Sequence, residues 1–132
     1  MTKSRSRPQE CPCGSGARYD DCCGQWHVGA EPAPDAAALM RSRYSAFVLD
    51  QLDYLLATWH PSTRPASLEP NPPGLQWLGL EVRRHAQADA DHAIVEFVAR
   101  NRLNGRASRL HETSRFVREA GRWLYVDGDF RD

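Results

Sequence analysis

Charge of one sign is not in excess: seventeen Lys and Arg side chains balance seventeen Asp and Glu in a chain of 132 residues. No global field therefore draws the protein toward nucleic acid or an anionic membrane. Long apolar runs are also missing, since the longest fall far short of the roughly 20 residues that a bilayer-spanning helix needs. Lys3, Arg5 and Arg7 are followed by Pro8, Gln9 and Glu10 where a signal peptide would carry its apolar segment. The expectation is a cytoplasmic protein. Cysteine is absent beyond position 23, so no disulfide framework runs through the chain. What is present, 41% apolar and 26% charged residues, excludes disorder throughout and fits one compact domain with at most a small appendage.

All four cysteines fall between positions 11 and 23, as Cys11, Cys13, Cys22 and Cys23. Four thiols so close can converge on one tetrahedral ion with a single loop between the pairs, and zinc suits thiolates best. Gly14 and Gly16 permit the tight turns that bring Cys11 and Cys13 round to face Cys22 and Cys23. Between Pro8 and Ala30 the only sizeable apolar side chains are Tyr19, Trp26 and Val28. These are too few to offset backbone ordering at about 1 to 2 kcal/mol per residue. A structural zinc contributes about 10 to 16 kcal/mol in small finger peptides, enough to order the segment. With four thiolates and no open position, one ion per chain is expected to be structural; His27 is the one nearby candidate to replace a weak ligand.

The spacing Cys-x-Cys, eight residues, Cys-Cys, with its Gly-Ser-Gly turn and Tyr19, resembles the SEC-C motif found at the C-terminus of the translocation ATPase SecA and in many bacterial proteins. Many relatives carry lysines around the second half of the motif, where this chain has Ala17, Arg18, Asp20 and Asp21. That departure weakens an inference of nucleic-acid contact.

Residues 28–34 form a Pro- and Ala-containing connector, placing a boundary between a segment 1–30 and a body 31–132. Asp35 reads as an N-cap, followed by Leu39, Met40, Tyr44, Phe47 and Val48 at helical spacing. A second helix is expected from Asp50 or Gln51 to Trp59. The stretch from His60 to Gln76, rich in proline, reads as an irregular connection that covers something. After it the period changes to two, with Leu78, Leu80 and Val82 alternating against Trp77, Gly79, Glu81 and Arg83. Further strands are expected over Ala93–Asn101, Ser108–Arg118 and Trp123–Val126, separated by turns at Asn104-Gly105 and Gly121. The pattern is an antiparallel meander preceded by helices, hence an α+β domain with helices on one sheet face.

The segments from Leu39 to Phe47, Tyr54 to Pro61 and Trp77 to Leu80, with Phe97 to Arg100, Ser114-Arg115-Phe116 and Trp123 to Gly128, resemble the YchJ-like family of bacterial proteins. The resemblance implies a cone-shaped cystatin- or nuclear-transport-factor-2-like domain, a curved antiparallel sheet with N-terminal helices, carrying a small N-terminal zinc-binding SEC-C knuckle.

Such a cone encloses a cavity, and the candidate lining residues are Tyr44, Trp59, His60, Trp77, His111, Arg115, Trp123 and Asp127. Each has a plainer reading: the aromatic residues as core, His60 as a helix C-terminal cap. His111, Thr113 and Arg115 share one face of their strand and Glu112 and Ser114 the other; one of these faces looks inward. If it is the first, His111 can exchange a proton and Arg115 hold a carboxylate or phosphate. Glu96 is expected to pair with an arginine. Arg41 and Arg43 point about 200° apart on their helix, so one is expected to pair with Glu96 or Asp127 and the other to stay in solvent.

Two functional readings follow. The first is a binding module, with a protein partner on the zinc knuckle and a ligand or partner in the cone, and with pairing of two copies across the exposed sheet face as an option. The second is a hydrolase or isomerase acting on a small molecule, with His111 as acid-base. Nucleic acid ranks below both, and no membrane contact is expected.

Overall fold

The computed structural model describes residues 10–29 and 31–131. The basic residues Lys3, Arg5 and Arg7, and Ala30 of the connector, lie outside them. A 3-10 turn, Tyr19–Asp21, leads into the short helix α1, Cys23–His27. Helix α2 spans Ala36–Val48 and α3 spans Leu52–Ala57. Four strands follow: β1 Gln76–Gln87, β2 His92–Leu103, β3 Arg106–Glu119 and β4 Arg122–Arg131. They form one antiparallel sheet in the order β1-β2-β3-β4, the meander that consecutive hairpins imply. No helix among the described residues is long and apolar enough to cross a membrane.

Local chemistry accounts for the ends of these elements. The Asp35 carboxylate accepts a hydrogen bond from the Ala38 amide at 2.7 Å, closing the first turn of α2. Asn104 and Gly105 both adopt positive φ, the geometry of a two-residue turn whose twist matches its flanking strands.

Helix α2 lies on one face of the sheet, where Leu39, Met40 and Tyr44 meet Ala93, Val95, Phe97 and Ala99 of β2, Phe116 of β3 and Trp123 of β4. Cys11, Cys13 and Cys23 are buried in this same core. The knuckle and the sheet thus share one apolar interior.

Strand register is irregular in three places. A bulge between Trp77 and Gly79 slips β1 by one residue, and another slips it between Val82 and Arg84. Trp77, Leu80 and Val82 consequently pack toward the core while Leu78 is exposed. The third lies between Arg115 and Phe116, opposite which β4 passes from Asp127 to Tyr125 and leaves Val126 unmatched. The last strand, expected to end at Val126, runs on through Asp127-Gly128-Asp129 to Arg131 because the bulge absorbs the break in pattern. Helix α3 ends at Ala57, and the chain then bonds to β4: the Tyr125 amide donates to Thr58 O and the His60 amide to Tyr125 O.

Candidate metal centre and enclosed cavity

The knuckle is a backbone turn with sulfur on its inside. The Cys11 amide donates to Ala17 O at 3.0 Å and the Gly14 amide to Cys11 O at 3.2 Å. Gly14 and Gly16 take the positive φ that this curl requires. Cys22 and Cys23 enter from the start of α1, and the four Sγ atoms all lie within 4.8 Å of one another. Cys13 Sγ and Cys22 Sγ are 3.6 Å apart. That is far beyond the roughly 2.05 Å of a disulfide. It is close to the ~3.8 Å edge of a tetrahedron whose corners lie about 2.3 Å from a central ion. The donor set and its spacing therefore fit a metal ion held by Cys11, Cys13, Cys22 and Cys23.

Electrostatics within the cluster favour a thiolate. A hydrogen bond from Cys23 pushes the Cys13 thiol down to about 4, outweighing the cost of burial. Its partner Cys23 is raised, first by that same bond and then by burial, and burial also raises Cys22. Hydroxyls surround the sulfurs: Ser15 Oγ lies 3.2 Å from Cys22 Sγ, and Ser45 Oγ of α2 lies 3.4 Å from Cys11 Sγ. Arg41 donates to Cys13 O at 3.3 Å. His27 stays outside the sulfur cluster, its ring nitrogens bonded to Tyr19 Oη and Ser42 O.

Behind α2 the curved sheet lines a half-open cavity of about 430 Å³. Its walls are mostly aromatic and aliphatic, including Tyr44, Trp59, Trp77, Phe97 and Phe116. The proline-rich connection does cover something: Glu69, Pro70, Asn71 and Pro72 line one side. Asn71 pins that segment, donating to Phe47 O and accepting from Trp77 Nε1, while its amide bonds to the Asp50 carboxylate.

Two buried charged groups face this space, each about 5% exposed. Arg43 of α2 donates through Nη1 to Leu55 O at 2.8 Å and Thr58 Oγ1 at 2.7 Å. Its guanidinium lies over the rings of Trp59 and Tyr125, at 5.0 and 4.8 Å from their centroids, the two rings meeting edge to face. Burial pushes Arg43 down to about 10, and it remains a cation at neutral pH. Glu112 of β3 accepts from Ser114 Oγ and Tyr125 Oη, both at 2.9 Å. Its carboxylate lies over Gly128 of β4, where a Cβ would sit 2.8 Å from Glu112 Cδ and closer still to Oε2. Glycine at 128 makes room for the carboxylate.

Of the residues singled out from the sequence, Tyr44, Trp59 and Trp77 line the cavity. Trp123 is in the core beside it. His111 and Arg115 point to the other sheet face, because Leu110, Glu112, Ser114 and Phe116 hold the inward parity of β3. There His111 Nε2 meets Glu96 Oε2 at 2.7 Å, so Glu96 pairs with a histidine and not with the expected arginine. Arg115 bridges Asp127 at 2.6 Å and Asp129 at 2.9 Å in an exposed ion-pair cluster. His60 sits between Ser62 and Glu119 at the edge of β4. The expectation that Arg41 or Arg43 pairs with Glu96 or Asp127 is corrected: both bond to backbone carbonyls, and Arg43 is the buried one.

The inward face of β3 is the alternative left open by the sequence, carrying Glu112 and Ser114, while Phe116, Tyr125 and the lining role of Arg43 escape the sequence reading. One signal was available. Leu110 and Phe116 share the parity of Glu112 and Ser114, so apolar residues frame the inward face at both ends.

Comparison with known proteins agrees with this architecture. Residues 35–128 match the family described as "YchJ, middle NTF2-like domain", and residues 7–25 match the SEC-C motif. A UPF0225 protein of Bordetella pertussis is 64% identical over 133 aligned positions, covering 99% of this chain and all of that one. One from Methylibium petroleiphilum is 66% identical over 127 positions, covering 96% of this chain and 92% of its own. The solution structure of a SEC-C motif containing protein from Rhodopseudomonas palustris superposes with a TM-score of 0.80 at 34% identity, covering 92% of this chain and 98% of the other. The crystal structure of a SEC-C motif containing protein from Psychrobacter arcticus gives 0.75 at 31% identity, covering 92% and 82%. A sulfur knuckle at the N-terminus, a four-stranded meander under α2 and these matches along the whole chain place the protein in the UPF0225, or YchJ-like, family of NTF2-like domains with a SEC-C motif.

Proposed function

We propose that the protein is a binding module of the cytoplasm, in which a structural zinc ion on four cysteines braces a cone domain that holds a small ligand. The observation that carries the reading is the half-open aromatic cavity of about 430 Å³ with Arg43 and Glu112 buried in its wall. Concave, mostly apolar spaces with a few convergent polar groups are where proteins take small molecules. Four thiols with no open coordination position favour zinc in a structural role, and a reducing compartment keeps them free to ligate. Cavity geometry lends no support to acid-base chemistry at His111, whose imidazole pairs with Glu96 on the opposite sheet face.

Elemental analysis and a thermal-shift screen of small molecules test the two halves separately. One zinc per chain and a set of compounds that raise the unfolding temperature are expected. A metal-free, fully folded chain would overturn the zinc half; a screen in which no compound of suitable size stabilises the protein would overturn the ligand half.

A further inference from the structure

The two charged groups of the cavity are not spent on each other. Arg43 reaches in from the helix side and uses only Nη1 on protein acceptors, leaving Nε and Nη2 without one among the described residues. Glu112 reaches in from the sheet side, and its protein donors, Ser114 and Tyr125, both bond to Oε2. They make no direct ion pair, although the Glu112 charge favours the Arg43 cation through space. Burying a charge is costly unless it is paired and hydrogen-bonded. A fold that only needed packing here would close the gap or replace both groups with apolar ones. Instead the carboxylate is positioned: two hydroxyls orient it, and the missing Cβ at Gly128 gives it room. The guanidinium is positioned too, held against the rings of Trp59 and Tyr125. The rest of the lining is mostly apolar and largely aromatic, suited to a flat hydrophobic body. Among the described residues the only other charged one on the lining is Glu69, from the proline-rich connection, which adds negative charge there.

We infer that the cavity takes a small, mostly apolar molecule with two polar groups: an accepting oxygen, as carboxylate or carbonyl, toward Arg43 and an amine or hydroxyl donor toward Glu112, the two protein groups flanking the Tyr125 side chain that touches both. This rests on the ligand-binding reading above and specifies its chemistry. A guanidinium grips a carboxylate through parallel N–H donors, and a buried carboxylate discriminates strongly in favour of a donor, because a ligand without one leaves it unmatched.

The test uses the full zinc-loaded chain and matched probes: 4-(aminomethyl)benzoate, 4-methylbenzoate, 4-methylbenzylamine and p-xylene, with the same four patterns on a meta-substituted ring to allow for a shorter span. Dissociation constants come from ligand-observed NMR or calorimetry. The expected order has the doubly substituted compound about tenfold tighter than either singly substituted one, with the unsubstituted hydrocarbon weakest. In Glu112→Gln the advantage of the amine disappears while the 4-methylbenzoate affinity is kept; Gly128→Ala, which displaces the carboxylate, does the same. Equal binding by all members of a series overturns the two-group chemistry while leaving a ligand cavity in place. Failure of every probe on both frames overturns the ligand-binding reading as well.

Discussion

The imidazole of His27, the last residue of the knuckle helix, lies 2.8 Å from the carbonyl oxygen of Ser42 in the middle of α2. A carbonyl only accepts, so Nε2 carries the proton and Nδ1 accepts from the Tyr19 hydroxyl, which in turn accepts from Gln51 Nε2 at 2.9 Å. The ring packs against Tyr54, whose hydroxyl bonds to Ser42 Oγ. This chain of contacts stitches the knuckle to α2 and α3 and holds His27 neutral. Burial is the main cause pushing its pKa below the ordinary 6.5, with the Ser42 carbonyl acting weakly the other way.

A pH dependence follows. Below about pH 6.5 the unfolded chain binds a proton at His27 that the folded chain resists, so stability is full above that value and falls as the pH drops through it. Denaturant unfolding between about pH 8 and 5.5, run in parallel on wild type and His27→Gln, isolates the contribution from acid effects on the thiolates. The wild type is expected to lose stability more steeply. Equal slopes would contradict the neutral-histidine linkage.

Removal of the metal proposed for the knuckle should be felt throughout the molecule. Cys11, Cys13 and Cys23 are core residues alongside Leu39 and Phe97, so releasing the ion leaves thiolates in an apolar interior. Chelation under reducing conditions is expected to lower the unfolding temperature of the whole chain, with a loss on the order of several kcal/mol. Cys22→Ser should abolish stoichiometric metal, and cobalt loaded in place of zinc should show a thiolate charge-transfer band. Metal content unchanged in Cys22→Ser removes the proposed site.

Gly128→Ala should destabilise the fold even though position 128 lies within a regular strand. The added methyl collides with the Glu112 carboxylate, which must leave its hydrogen bonds to Ser114 and Tyr125 or push β4 outward. The expected cost is about 1 to 3 kcal/mol by chemical denaturation. Pairing it with Glu112→Ala, which frees the space, should recover much of the overpacking component.

At the start of α2, Asp35→Ala removes the acceptor of the Ala38 amide. A loss of about 1 kcal/mol is expected, while Asp35→Asn or Asp35→Ser should retain most of the cap. A midpoint unchanged in Asp35→Ala would show that the cap contributes nothing.

Much of this architecture was legible in the residues. The four cysteines, the Asp35 cap, the Asn104-Gly105 turn and the apolar period of α2 are local signals, and each acts within a few positions of itself. Part of what escaped depends on places where strand register slips. The bulge at Trp77 and Gly79 turns Leu78 outward, and the one at Val126 carries β4 past a stretch that reads as a turn. Glu112 was left undecided for another reason. A carboxylate between a histidine and a threonine looks solvent-facing until Leu110 and Phe116 show which side is in. Arg43 likewise sits in an apolar helix stripe that its charge masks, and its burial depends on α3 and β4, far along the chain.

Helix α2 touches the sulfur cluster through Ser45 and the cavity through Arg43, two residues apart. Any attempt to re-engineer the knuckle, by swapping a thiol or grafting the motif elsewhere, therefore shifts the rod on which the pocket's guanidinium is mounted. Redesigning one end of this molecule means re-tuning the other.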